Sequence, residues 1–165
     1  MPLVIQWVDK RSGTEQVHKI NTPAGRLLIV TQSGVIVKTD WDSPENSLHT
    51  DECPVFQALD RYWLSPEKPV HISLLTQGTP FRNRVWAELC NIPHGETVTY
   101  ANLAGRIGSA ARAVGNACRD NPFPMLIPCH RVVAKSGMGG YSGHTAGDFM
   151  AIKRQLLEFE AQHNR

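Results

Sequence analysis

No apolar run in this sequence approaches the roughly 20 residues of a membrane-spanning helix, which leaves no such span to propose. The N-terminal stretch MPLVIQWVDKRSGTEQ lacks the basic-then-apolar layout of a secretory signal. The expectation is a protein of the cytoplasm or nucleoid with no membrane partner. Cysteine is also scarce. Cys53, Cys90, Cys118 and Cys129 show no CxxC pairing and lack the density of a disulfide-stapled scaffold, so reduced thiols are expected. Cys118, Cys129 and His130 fall short of the four ligands and close cysteine pair of a structural zinc site, and neither metal nor cofactor is expected. Internal repeats and low-complexity tracts are missing, which excludes solenoids and arrays. Net charge is only +2, too little to announce a nucleic-acid partner by itself.

What is present is a chain of 165 residues, 41% of them hydrophobic, enough for a large domain or two small ones. Its charge is unevenly spread. Residues 1–78 hold 7 Lys and Arg against 9 Asp and Glu, whereas residues 79–165 hold 10 against 6. Between Thr99 and Lys135, Arg106, Arg112, Arg119, Arg131 and Lys135 face a single acid, Asp120. That is the local footprint of phosphate contact, and equally that of a solvated face.

The local patterns divide at Gly78, into an N-terminal α/β domain over 1–78 and a mostly helical domain over 79–165. HKINTPAGRLLIVTQSGVIVKTDW reads as two Leu-, Ile- and Val-rich strands joined at QSG, an antiparallel hairpin, and VHISLLTQG as a third strand. Between them TDECPVFQALDRYWLS places Val55, Leu59 and Trp63 at helical spacing. The overall class is α+β, with a small antiparallel sheet. After Gly78, Thr79 is a candidate N-cap followed by Pro80, with Phe81, Val85 and Leu89 on one helical face. Thr99 is placed to cap YANLAGRIG and Ser109 to cap AARAVGNACRD, two short helices with a Gly-containing joint, the outline of a helix-turn-helix. The second carries Ala110, Ala111, Ala113 and Gly115 around the long cation Arg112. Small residues let a backbone approach something closely, whether a neighbouring helix or a minor groove into which Arg112 inserts. RVVA before the glycine-rich AKSGMGGYSGH resembles a wing, and the last helix has Phe149, Ile152, Leu156 and Phe159 on one side.

The sharpest chemical signal is PCHR. A free cysteine is more often a small buried hydrophobe than a nucleophile. Here Cys129 has His130 as a candidate base, Arg131 as a nearby cation and Asn121 as an amide able to hold a turn or a thiol. Neighbours on an extended strand point to opposite faces, so the pair becomes a dyad only through a bridging water or a turn at Pro128. Glu160 is a candidate to orient the imidazole.

GTPFRNRVW, IPHGETVTYANLA, AARAVGNA, NPFPMLIPCHRVV and GYSG stand in the order seen in O6-alkylguanine-DNA alkyltransferases, which the chain resembles strongly from about Gly78 to Glu160 and more weakly before it. The resemblance implies a single-turnover DNA-repair enzyme that needs no cofactor and acts as a monomer on double-stranded DNA containing O6-alkylguanine, with O4-alkylthymine as a further substrate. By that resemblance Cys129 is the acceptor, where inactive relatives carry Trp. His130 is the base acting through water, Glu160 polarises it, and Asn121 organises the site. Arg112 replaces the extruded base in the stack and Tyr100 crowds its phosphate, with Ala111, Gly115, Arg119 and Lys135 as further DNA contacts. Tyr100, Val132, Tyr141 and Ser142 line the guanine pocket. The joint LAGRIGSAARAV lacks the family's Pro and is shorter, and His144 stands where the family often has Gly. The competing expectations are a non-catalytic alkyl-damage recognition or regulatory winged-helix protein, and a thiol hydrolase, for which no oxyanion-hole sequence argues.

Overall fold

The computed structural model describes residues 3–9, 12–41, 70–140 and 148–162. The chain divides into two compact units, Met1–Gln77 and Gly78–Arg165. The described residues form a mixed α/β structure with one five-stranded sheet and four α-helices.

In the first unit, β1 (Leu3–Val8), β2 (Glu15–Thr22), β3 (Gly25–Gln32), β4 (Val35–Trp41) and β5 (Val70–Leu75) lie in the order β1-β5-β4-β3-β2. Where two strands and a QSG turn were expected, three strands meander. The break falls at Pro23-Ala24, where Pro presets the turn, the Thr22 hydroxyl donates to the Gly25 carbonyl at 2.7 Å and Gly25 adopts φ 127°. The second turn, Ser33-Gly34, has positive φ at both residues (50° and 80°), the hairpin geometry that matches strand twist. The sheet is mixed rather than antiparallel, because β5 runs parallel to both β1 and β4. Residues 42–69 separate β4 from β5, the length that a parallel crossover requires. The helix expected around Val55, Leu59 and Trp63, and Cys53 with it, lies outside the described residues. Leu27, Ile29, Ile36 and Leu74 form the centre of this unit's core.

The second unit starts with α1 (Pro80–Leu89), whose N-cap Thr79 accepts from the Arg82 amide while Pro80 opens the first turn. Val85, Trp86 and Leu89 are its buried face. The Trp86 indole donates to the Ala117 carbonyl at 2.9 Å, binding α1 to α3 (Ala111–Arg119). Between them, α2 (Tyr100–Ile107) starts from Thr99, which accepts from the Asn102 amide. Its end is Gly108 in the left-handed region (φ 66°), with the Ser109 amide donating to the Ala104 carbonyl. This corrects the expected cap. Ser109 closes α2, so α3 has Ala110 at its N-cap and no side-chain cap bond. The short joint gains a tie from α1, where Arg84 donates to the Ile107 carbonyl at 2.7 Å.

β6 (Val98–Thr99) pairs in parallel with β7 (Val132–Val133), and α4 (Asp148–Gln162) follows. The expected wing, RVVA with the glycine-rich segment, is described only as far as Gly140, and the strand-like part of it is β7. After Val133 the described chain makes only an Ala134–Gly137 antiparallel bridge. On α4 the expected apolar side is only part of the answer: Leu156 is buried with Met150, but so are Lys153 and Glu160.

Candidate active site

The loop between α3 and β7 places the thiol. Asn121 holds it at both ends of its carboxamide, accepting from the Phe123 amide and donating to the Ile127 carbonyl, each at 2.9 Å. Met125 occupies the left-handed region (φ 77°), a strained place for a side chain, inside a turn closed by the Ile127 amide on the Phe123 carbonyl. Pro128 then leads into a 3-10 turn, Cys129–Arg131. The chain is therefore not extended at PCHR, and of the two routes considered for a thiol–imidazole pair, a bridging water or a turn at Pro128, the turn is present.

Cys129 and His130 are both buried, 4% and 1% exposed, and so is Val132, the pocket candidate beside them. His130 and Glu160 meet at 2.8 Å between Nε2 and Oε1. The other ring nitrogen, Nδ1, is buried without a hydrogen-bond partner among the described residues. Arg131, expected as a nearby cation, has its guanidinium engaged by the carboxylate and a carbonyl. It donates twice to Glu160, at 2.8 and 3.0 Å, and to the Ile92 carbonyl at 2.8 Å. A guanidinium fork fits a carboxylate, and the carboxylate attracts it more strongly than a neutral thiol does. Burial would raise the Glu160 carboxyl, but the imidazole and guanidinium overrule it and hold the group well below the usual carboxylate range. Burial lowers His130, against the pull of Glu160, so its neutral form is favoured. His94 completes the surroundings, its Nδ1 4.0 Å from Glu160 and its ring edge-on to Phe159.

Burial raises the Cys129 thiol, while a hydrogen bond with the Asn121 side chain and the Lys153 ammonium pull the other way. Lys153 was absent from the expected site. Its signal was a lysine inside the apolar stripe of the last helix, seven residues and so two turns before Glu160. Cys118 on α3 is a second buried thiol, also raised chiefly by burial.

Tyr100 opens α2 and its phenol is pushed up to about 12, mainly by burial, so it stays a neutral donor. Its hydroxyl reaches the Gly140 carbonyl at 3.5 Å. Gly139 has φ 71°, and a Cβ there would lie 2.9 Å from the Tyr100 ring, so glycine is required twice over. Arg112 is exposed with Ala111, Asn116 and Arg119 on the face of α3 opposite the buried Val114, Ala117 and Cys118, and Gly115 is half-buried. Beyond its chain neighbours and its own helix backbone, no atom of the described residues lies within 4 Å of where a Gly115 Cβ would stand. Lys135 is exposed after β7. Tyr141 and Ser142 lie outside the described residues, as does His144. No described helix is long and apolar enough to cross a membrane, and no group of three metal-ligating side chains occurs among the described residues.

A family model described as 6-O-methylguanine DNA methyltransferase, DNA binding domain, matches residues 80–162. The constitutive methylated-DNA–protein-cysteine methyltransferase of Bacillus subtilis (strain 168) is 36% identical over 154 residues, 84% of this chain and 91% of that one. The chain belongs to the methylated-DNA–protein-cysteine methyltransferase family. Its reaction is direct repair of DNA by alkyl transfer to a cysteine, and DNA is its partner. Among solved structures of the family, a Mycobacterium tuberculosis O6-methylguanine methyltransferase aligns with TM-score 0.71 and 32% identity, over 90% of this chain and 94% of that one. A Mycobacterium tuberculosis OGT in complex with DNA gives 0.71 and 33%, over 89% and 93%.

Proposed function

We propose that Cys129 is the alkyl acceptor, that O6-alkylguanine in duplex DNA is the substrate, and that the unit from Gly78 onward performs both recognition and chemistry. The observation that carries this reading is the burial of Cys129 in one turn with a His130 bonded to Glu160, its thiol held by Asn121. His130 takes the thiol proton at Nδ1 through a water. Glu160 stabilises the imidazolium and is itself held in place by Arg131. The thiolate attacks the alkyl carbon, the carbon–O6 bond breaks, and its electron pair stays on guanine, which Tyr100 and a backbone N–H near Ser142 stabilise. The thioether has no route back, so each molecule reacts once.

A pocket this buried cannot reach a stacked base, so the nucleotide is flipped, at a cost of roughly a few kcal/mol. The exposed Arg112 fills the gap in the stack. The α2–α3 pair acts as a helix-turn-helix in the minor groove, with residues from Val132 onward as its wing. Ala111 and Gly115 allow close approach, and Arg119 and Lys135 meet phosphates. Val132, Tyr141 and Ser142 line the pocket with Tyr100. The protein acts as a monomer in the cytoplasm or on the nucleoid.

The test is to incubate the protein with excess duplex carrying O6-methylguanine and map the mass. One methyl on Cys129, stopping at one equivalent, is the expected result. Binding with no mass change would replace this reading with a recognition protein.

A further inference from the structure

The exposed Arg112 stands in the first turn of α3, and that helix starts without a cap of its own. Its N-cap is Ala110, which makes no side-chain bond. The nearest hydroxyl residue, Ser109, gives its amide to the preceding helix, at the Ala104 carbonyl. The start of α3 therefore takes its bearing from the end of α2, across the joint Gly108-Ser109-Ala110. α1 grips that end. Arg84 and Glu88, one helical turn apart on α1, both reach the last turn of α2. The Arg84 guanidinium donates to the Ile107 carbonyl at 2.7 Å, and the Glu88 carboxylate lies 3.7 Å from the Arg106 guanidinium. Ile107 is the last residue of α2, where a carbonyl finds no acceptor role within its own helix and the negative end of the helix dipole favours a cation. The same α1 holds the far end of α3, through the Trp86 indole on the Ala117 carbonyl at 2.9 Å and Arg82 on the Asp120 carboxylate at 2.7 Å. α3 is thus tied to α1 directly at its C-terminal end and, at the end where Arg112 stands, through the last turn of α2.

We propose that Arg84 is a positioning residue for base flipping, a role that rests on Arg112 filling the gap in the stack: Arg84 pins the last turn of α2 and so aims Arg112 into the duplex. The Arg84 side chain is exposed, and an exposed contact adds little to stability. Its effect is on geometry. A misplacement of about 1 Å in a group that must enter the base stack costs far more in rate than such a contact adds in stability. Arg84 has no part in the transfer step at Cys129 and touches no phosphate, so substrates that do and do not require flipping separate this role from the alternatives.

The test compares the full-length protein with R84M, R84K, R112A and the double variant R84M/R112A. Three quantities are read: the rate with duplex carrying O6-methylguanine, the rate with free O6-benzylguanine, and the slope of log Kd against log salt concentration on the duplex. R84M is expected to react about 10-fold more slowly than the parent with duplex and within about 2-fold of it with the free base, which needs no flipping. Its salt slope stays that of the parent, because no phosphate contact is lost. R84K keeps a charged donor and recovers at least about 3-fold of the duplex rate. Without Arg112 there is nothing left to aim, so R84M/R112A reacts with duplex within about 2-fold of R112A. An R84M duplex rate within about 2-fold of the parent overturns the proposal, as does an R84K no faster than R84M. So do equal losses on both substrates, which make Arg84 a structural residue, and a salt slope shallower by about one charge, which makes it a phosphate contact. Losses that multiply in R84M/R112A detach Arg84 from Arg112 and overturn it as well. Equal losses on both substrates in R112A alone would instead sink the assignment of Arg112 to the stack.

Discussion

The sheet of the first unit and the helical second unit bury different kinds of polar group. Among the described residues, the first hides His18, Thr31 and Thr39, and His18 bonds to the Thr31 hydroxyl at 3.3 Å. The second hides His130, Arg131, Lys153 and Glu160, three of them formal charges. Polar groups on a sheet are satisfied by a neighbour and ask little of the rest of the chain. Buried charges are costly unless each has a partner with good geometry, and chains hold them where they do chemistry or fix its geometry. The contrast separates scaffold from site without reference to any motif.

The largest test of that contrast is Cys129→Ala, which should abolish alkyl acceptance by mass spectrometry and leave duplex affinity within about 2-fold, since the thiol is buried and contributes no charge to DNA. Full acceptance by this variant would mean that the buried charges surround the wrong atom. Next is Glu160→Gln. It frees a buried guanidinium, so a thermodynamic loss of about 3–5 kcal/mol is expected in a denaturant titration. In the parent the depressed carboxyl contributes stability that is present above the ordinary carboxylate range and lost as pH falls through its folded value. The acid limb of alkyl transfer, set by protonation of His130, lies below the usual imidazole value because burial favours the neutral ring. Glu160 pulls that limb upward, so the Gln variant should show it at lower pH.

Arg112→Ala sharpens the comparison from the surface. The rate with alkylated duplex should fall about 10- to 100-fold while free O6-benzylguanine reacts within about 2-fold of the parent, because only duplex requires flipping. Equal losses on both would make Arg112 structural. Gly139→Ala should cost about 1–3 kcal/mol, from a left-handed backbone and a clash with the Tyr100 ring, and slow both substrates together. The smallest effect belongs to the sheet. Thr31→Val should change stability by about 1 kcal/mol and leave the rate with O6-benzylguanine unchanged.

Helix starts at Thr79 and Thr99 were legible because a cap is made within three residues of sequence. Ser109 misled for the same reason in reverse. It has a capping side chain, but the left-handed Gly108 assigns its amide to the preceding helix. β1 left no signal, because its ladder pairs Leu3 with Val70 and a parallel strand has no turn to announce it. Cys129, His130, Asn121 and Glu160 were nameable from the motifs and from the resemblance. Arg131 was nameable as a nearby cation but its bonds to Glu160 were not legible, and Lys153 was passed over as one polar residue in an amphipathic helix.

By itself the sequence determined what is local: the caps, the apolar periodicity, the small-residue face around Arg112, and a thiol beside an imidazole between prolines. The tertiary structure alone decided which charge meets which. Whether a guanidinium serves a thiol or a carboxylate, and whether a lysine is solvated or closes three carbonyls, depends on where α4 lies against the turn at Cys129. Electrostatic energies in a buried site change over a few ångströms, a scale that residue order does not encode.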